Sequence, residues 1–323
     1  VGLNGSLMTA ALASVRLQWR FFRLRLPQPL VTARGEMREK RGWLLRLEDE
    51  EGGLGWGEAA PLAGPFEPLA AALSALGPEC PRSICEQALA AGQLPGPLAF
   101  ALGAALAELA GLPAGRWRAA PASARLLPAG AAALAALESP APAWKWKVGV
   151  HPDADERAVL EQLLQVLPAT ARLRLDANGS WDRPTAWSWA ERLRGEPRLE
   201  WLEQPLDPGD QEGLKALAAV VPVALDESLQ IDPPLAASWE SWQVRRPSQE
   251  GDPRRLLAAL EAGQPRLVLS TAFETGIGRR WLDHLAALQH DGPTPVAPGL
   301  APAWHPTGPL ASFDPLQVWE AAG

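Results

Sequence analysis

The chain has 323 residues, 47% of them hydrophobic and 21% charged, with a formal net charge of −7. That length and apolar content allow two domains or one large domain and argue against disorder, while the acidic balance excludes nonspecific nucleic-acid binding, which depends on basic patches. Cys80 and Cys85 are the only cysteines, too few for a disulfide framework or a Cys-rich zinc site, and they read as reduced thiols of a cytoplasmic protein.

The first fifteen residues lack the basic stretch of a signal peptide, and the first methionine is Met8. Residues 17–26 and 42–48 then read as strands, and Glu51-Gly52-Gly53 marks a turn before a returning strand at 54–58. Residues 69–76 and 98–112 read as helices, the second stopped by Gly111 and Pro113. This second helix is the longest apolar stretch, but Glu108 interrupts it and it falls short of the ~20 residues of a membrane span. Strands followed by helices predict an α+β module over residues 9–118, with 113–121 as a linker.

Beyond the linker, short apolar runs alternate with helical ones. The runs are 125–127, 144–148, 173–176, 199–203, 223–226, 242–246, 267–270 and 294–297. Eight strands separated by helices predict a (β/α)8-type barrel, a modified TIM barrel, over residues 119–304. Residues 305–323 are expected to return and close the capping module.

In such barrels the chemistry gathers at the C-terminal strand ends. Lys145 and Lys147 lie two apart on one strand and so share a face, opposite Trp144 and Trp146. Paired ammonium groups repel, which is expected to lower the pKa of at least one toward that of a neutral-pH base. A lone K-x-K is more simply an exposed edge strand, but the residues downstream change that reading. Asp176, Glu203 and Asp226 close three consecutive strands. Each alone would read as a helix N-cap, whereas three at one mouth read as oxygen ligands for a hard divalent cation such as Mg²⁺. Metal and lysine together suit proton abstraction beside a carboxylate, an arrangement that general accounts of enolase-type sites also describe.

Lys145-x-Lys147, Leu175-Asp176-Ala177-Asn178, Leu202-Glu203-Gln204-Pro205 and Leu225-Asp226-Glu227-Ser228 resemble the muconate-lactonising branch of the enolase superfamily. The likeness extends from about Arg16 to the C-terminus and takes in residues 55–61 and 100–111. Within the branch it is nearest to the o-succinylbenzoate synthases of menaquinone and phylloquinone biosynthesis. The resemblance implies a cytoplasmic lyase acting on a small carboxylate substrate, with Mg²⁺ (or Mn²⁺ in its place) and with no nucleic-acid or membrane partner.

It further implies Lys147 as base and then acid in a syn dehydration, Lys145 as its neighbour and carboxylate anchor, and Asp176, Glu203 and Asp226 as metal ligands. Asn178 and Glu227 would stand behind these ligands, and a helix-capping role suits Glu227 equally well. Arg174, on the same face as Asp176, is a candidate for the succinyl carboxylate. Ser270, Thr271, Gly299 and Leu300 would line the far side, and the loop around Thr32 would form a lid.

One position departs from the family pattern. The sixth strand usually carries Lys-Pro, and this chain has Arg246-Pro247. Arginine does not give up its proton in proteins, so Arg246 offers a cation but no second base. That weakens the alternatives of N-acylamino acid racemase and dipeptide epimerase. It leaves dehydration first, with muconate-type cycloisomerisation behind it and a ligand-binding barrel without turnover last.

Overall fold

The computed structural model describes residues 14–32, 35–62, 66–113, 117–138 and 140–323. Strands β1 (Ser14–Thr32), β2 (Gly35–Glu48), β3 (Leu54–Ala59) and β4 (Glu79–Pro81) form an antiparallel sheet in the order β3-β2-β1-β4. The β1–β2 hairpin is longer than its apolar pattern announces, because after a register shift between Arg25 and Leu30 the pairing resumes from Leu30↔Met37 to Thr32↔Gly35. Helices Glu67–Leu76, Arg82–Ala90 and Gly96–Leu109 accompany the sheet. Of these, Arg82–Ala90 and the short β4 were not visible in the sequence. The last helix packs hard on β3: a Cβ at Gly55 or Gly57 would lie 2.0 Å from the carbonyl oxygen of Ala105 or Ala101. Glycine is required at both positions for this approach.

The second sheet is parallel and has seven strands in sequential order: β5 (Arg125–Leu127), β6 (Trp144–Lys147), β7 (Leu173–Asp176), β8 (Leu199–Glu203), β9 (Val223–Leu225), β10 (Trp242–Arg245) and β11 (Leu267–Leu269). Helices follow most strands, several capped as their sequences suggest. Asp182 and Asp210, for example, accept from the backbone N–H of Thr185 and Gly213, satisfying donors that a helix start leaves free.

The expected eighth strand at 294–297 does not form. Pro295 and Pro298 remove two ladder donors there, so the segment crosses as irregular chain. The barrel is nonetheless closed through it: Ala124 N–H donates to Pro298 O at 2.9 Å, and Gly299 N–H donates to Leu269 O at 2.8 Å.

Alternation sorts the strand side chains. Trp144, Trp146, Leu173, Leu175, Leu202 and Leu225 face outward into a core shared with Leu160, Leu163 and Trp189. Trp201, Ala224, Val244 and Val268 fill the inside. Each fully buried leucine contributes roughly 2 kcal/mol, and this double-sided burial fixes which residues reach the mouth. At the C-terminus, helix Pro315–Ala321 sets Val318 and Trp319 against Phe22, Leu24, Leu44 and Trp56 of the first sheet. Arg20 Nη1 donates to Trp319 O at 2.9 Å across the same contact.

Candidate active site

Strand register brings Lys147 beside Asp176, and Asp176 beside Glu203. Lys145 reaches the same carboxylates, with Nζ 2.9 Å from Asp176 Oδ2 and 2.6 Å from Glu203 Oε1. Burial works to lower the pKa of Lys145, but the carboxylates of Asp176, Glu203 and Asp226 outweigh it and hold the ammonium well above its ordinary value. The expectation that neighbouring lysines lower one another's pKa is therefore reversed at Lys145: three acids lie closer to its charge balance than the second ammonium does. Lys147 instead donates to Asn178 Oδ1, and Asn178 Nδ2 donates to Glu227 Oε1 at 3.0 Å. One amide thus joins the second lysine to the fourth acid of the mouth.

The turns after β7 and β8 are unusual. Asn178 (φ 47°) and Gln204 (φ 38°) both adopt the left-handed conformation, costing about 1 kcal/mol or more each for a non-glycine residue. Strain of this kind persists where surrounding contacts impose it, and both residues are fully engaged. Gln204 Oε1 accepts from the N–H groups of Asp226 (3.2 Å) and Ser228 (3.0 Å), while its Nε2 donates to Ser228 Oγ at 2.8 Å. Gln204 therefore fixes the backbone that presents Asp226. Gln230 adds a donor to Asp226 Oδ1 at 2.8 Å.

Arg246 holds Asp226 from the other side. Nε lies 3.0 Å from Oδ1, Nη2 lies 2.5 Å from Oδ2, and Nη1 donates to Thr271 O at 2.5 Å. Burial raises the Asp226 pKa, but the guanidinium prevails and holds it below the usual carboxylate range. Glu203 moves the opposite way: burial raises its pKa further than Lys145 lowers it. Glu227, pressed by burial and by its neighbours Asp226 and Asp176, is pushed up to about 7, and its Oε2 is buried without a partner.

Among the described residues no three His, Cys, Asp or Glu side chains are drawn together as a metal would hold them, and the acids are turned onto protein cations instead. The donor set nevertheless fits a hard divalent cation. Four buried or largely buried carboxylates meet Lys145, Lys147 and Arg246, which leaves an anionic excess and one orphaned oxygen, with no sulfur or imidazole among the donors.

Other expected residues lie elsewhere. Arg174 sits beneath the mouth, with Nε 2.6 Å from Glu200 Oε2 and its guanidinium 4.2 Å over the Trp201 ring, so its cation is already engaged. Ser270 Oγ donates to Gly299 O at 3.3 Å, and Thr271 Oγ1 donates to Glu274 Oε2 at 2.6 Å, which turns both hydroxyls to the protein. Gly299 does stand beside Ser270, joined to it by a backbone bridge. The Leu300 side chain packs outward with Leu269, Trp281 and Leu285 rather than lining the mouth. The Thr32 side chain and residues 33 and 34 fall outside the described residues.

The sequence reading missed Gln204 as a positioning group, although it lies inside a recognised motif. It also missed an apolar patch of Leu26 and Met37 from the hairpin with Leu126, Phe273, Ala301 and Trp304. Phe273 (φ 63°) and Ala301 (φ 46°) are again left-handed, a property that no sequence pattern signals.

A family described as enolase C-terminal domain-like matches residues 129–232. An o-succinylbenzoate synthase of Thermosynechococcus vestitus is 39% identical over 290 residues, covering 84% of this chain and 88% of that protein. A second, from Edwardsiella ictaluri, is 31% identical over 301 residues, covering 86% of this chain and 88% of that protein. The crystal structure of the o-succinylbenzoate synthase from Thermosynechococcus elongatus BP-1, complexed with Mg in the active site, superposes with a TM-score of 0.80 at 34% identity, covering 95% of this chain and 99% of that one.

Proposed function

The chain belongs to the o-succinylbenzoate synthase family of the enolase superfamily, and from that membership we propose how its own residues carry the reaction. It is a Mg²⁺-dependent carbon–oxygen lyase that dehydrates 2-succinyl-6-hydroxy-2,4-cyclohexadiene-1-carboxylate to o-succinylbenzoate, a step toward menaquinone and phylloquinone. The identity of 39% over 84% of the chain carries this reading. The set of two half-buried lysines and three buried strand-end acids supports it.

Asp176, Glu203 and Asp226 would hold the metal, which when bound supplies a Lewis acid for the substrate carboxylate. Lys147 removes the C1 proton and then returns a proton to the C6 hydroxyl on the same face. The C1–H and C6–O bonds break, the C1–C6 double bond completes the aromatic ring, and water leaves. Asn178 orients the Lys147 ammonium against Glu227. Lys145 balances Asp176 and Glu203 and anchors the substrate carboxylate beside them. Arg246 offers a fixed cation and no base.

The proposed division is a capping domain of residues 9–118 closed by 305–323, set on a catalytic barrel of 119–304. Among the described residues no helix is long and apolar enough to cross a membrane, and the cytoplasm is the proposed compartment. The deciding experiment assays purified protein with the cyclohexadiene substrate, with and without Mg²⁺. Metal-dependent appearance of o-succinylbenzoate is expected, and no product in the presence of Mg²⁺ would overturn the reading.

A further inference from the structure

Away from the reacting groups, three charged side chains are buried where the first sheet meets the barrel. Lys40 on β2 has a side chain only 1% exposed, as has Glu58 on β3, and Glu274 follows β11 on the barrel side. Lys40 Nζ lies 3.5 Å from Glu58 Oε1 and donates at 2.6 Å to the carbonyl oxygen of Ala272, across the interface. Glu58 Oε2 also crosses, accepting from Thr275 N (2.8 Å), Thr275 Oγ1 (2.6 Å) and Gly278 N (3.2 Å) at the start of helix Gly276–His290. Gly278 has no room for a side chain: a Cβ there would lie 2.8 Å from Glu58 Oε2. Glu274 binds the corner together from within, accepting from Ser248 Oγ (2.5 Å), Ala272 N (2.9 Å) and Thr271 Oγ1 (2.6 Å).

This corner belongs to the catalytic mouth. The carbonyl held by Lys40 is on Ala272, and the carbonyl one residue earlier, on Thr271, holds Arg246, which grips Asp226. On the other side, Lys40 lies on the strand that descends from the tip of the hairpin, three residues beyond Met37 of the apolar patch over the barrel loops. Buried charges of this kind seldom raise stability above that of a well-packed apolar group of the same size. What a cation with a single directed contact across an interface does supply is a fixed relative position.

We propose that Lys40 is a positioning residue for the dehydration: its ammonium ties strand β2 of the capping sheet to the 271–275 corner, and so fixes the relative position of sheet and barrel mouth in which the substrate is held. The neighbouring charges agree with this. Burial raises the Glu58 pKa and Lys40 opposes it, while the same ammonium helps hold Glu274 low against its own burial. The inference rests on the proposed activity, because it concerns binding of that substrate.

The test compares the unmodified enzyme with Lys40→Met, Lys40→Arg and the charge-balanced pair Lys40→Met/Glu58→Gln. The pair removes one buried cation together with one buried anion, so it is the variant expected to fold if Lys40→Met does not. A contact that fixes the sheet against the mouth acts equally on bound substrate and transition state, so its loss raises KM and spares kcat. The expected result for the pair is a KM raised about tenfold or more, with kcat within about threefold and unchanged circular dichroism. Lys40→Arg, which keeps the cation, should recover part of the loss. A KM unchanged in the folded pair would overturn the inference, whether or not the melting temperature falls, and so would a loss confined to kcat. An inactive unmodified enzyme would instead overturn the dehydratase reading, so the two failures are distinct.

Discussion

Arg246 grips Asp226 with two nitrogens, Nε at 3.0 Å and Nη2 at 2.5 Å from the two carboxylate oxygens, while its third edge is tied to Thr271 O. A bidentate pair of this form is directional, and it fixes the plane of a carboxylate assigned to the metal. It also commits the sixth-strand position to a group that stays protonated, where the family pattern has a lysine.

Racemisation tests that commitment. No detectable racemisation of N-acylamino acids or dipeptides is expected, because Arg246 has no neutral form to act as a base on the second face. Arg246→Lys should keep dehydration within about tenfold, or ~1.4 kcal/mol, because the charge remains and one of two contacts is lost. Arg246→Ala should cost about a hundredfold or more, since it leaves Asp226 buried without its counter-ion. The lysine variant is also expected to gain slow exchange of substrate α-protons with solvent, read as deuterium incorporation by NMR. Two-face exchange by the unmodified enzyme would reveal another base and end the one-base mechanism.

Metal removal should abolish activity, and Mg²⁺ should restore it. Asp176→Asn, Glu203→Gln and Asp226→Asn should each weaken Mg²⁺ binding in calorimetry and lose most activity while keeping the native circular dichroism. Full turnover after exhaustive chelation would remove these three acids from their assigned role.

Much of this site was legible because strand alternation is strict: once Trp144 and Trp146 are placed outward, Lys145 and Lys147 must face in, and the strand-end acids follow at barrel spacing. What escaped was set by tertiary contacts. Pro295 and Pro298 were visible, but the apolar run around them read as a strand, and only the barrel shows the segment closing through the backbone bonds of Pro298 and Gly299. Arg174 read as a substrate cation because its face was right. Glu200 and Trp201, on the neighbouring strand where the register shifts between Leu173 and Arg174, already engage it. The Lys40–Glu58–Glu274 cluster joins residues more than 200 positions apart and has no local pattern to betray it.

Stability should fall with rising pH in a window that Glu108 helps define. This carboxyl, paired with Arg280 at 2.9 Å, is pushed by burial up to about 7 from an ordinary 4.5. Below about pH 4.5 folded and unfolded chains are both protonated there and no effect arises. Between the two values the folded state alone keeps the proton, so each step up in pH favours unfolding, by about 3 kcal/mol in all at ~1.4 kcal/mol per unit. Above about 7 the effect levels off. Melting curves from pH 5 to 8 should therefore show Glu108→Gln gaining on the unmodified protein as pH rises. Parallel curves would mean that the Glu108 proton is already lost at pH 5.

Lys147 carries the heaviest chemical load, and its connection to Asn178 and Glu227 suggests how to separate the base from its support. Lys147→Ala removes both proton abstraction and assistance to the departing hydroxyl, so the loss should exceed the ~10²–10⁴ of a single acid–base role. Asn178→Ala leaves the ammonium in place but frees it from its amide partner, and should lower kcat by about ten- to a hundredfold with KM little changed. An Asn178→Ala enzyme with unaltered kcat would mean that the amide is packing rather than a support for the base. Lys147→Ala retaining more than about a tenth of the original rate would move the base elsewhere.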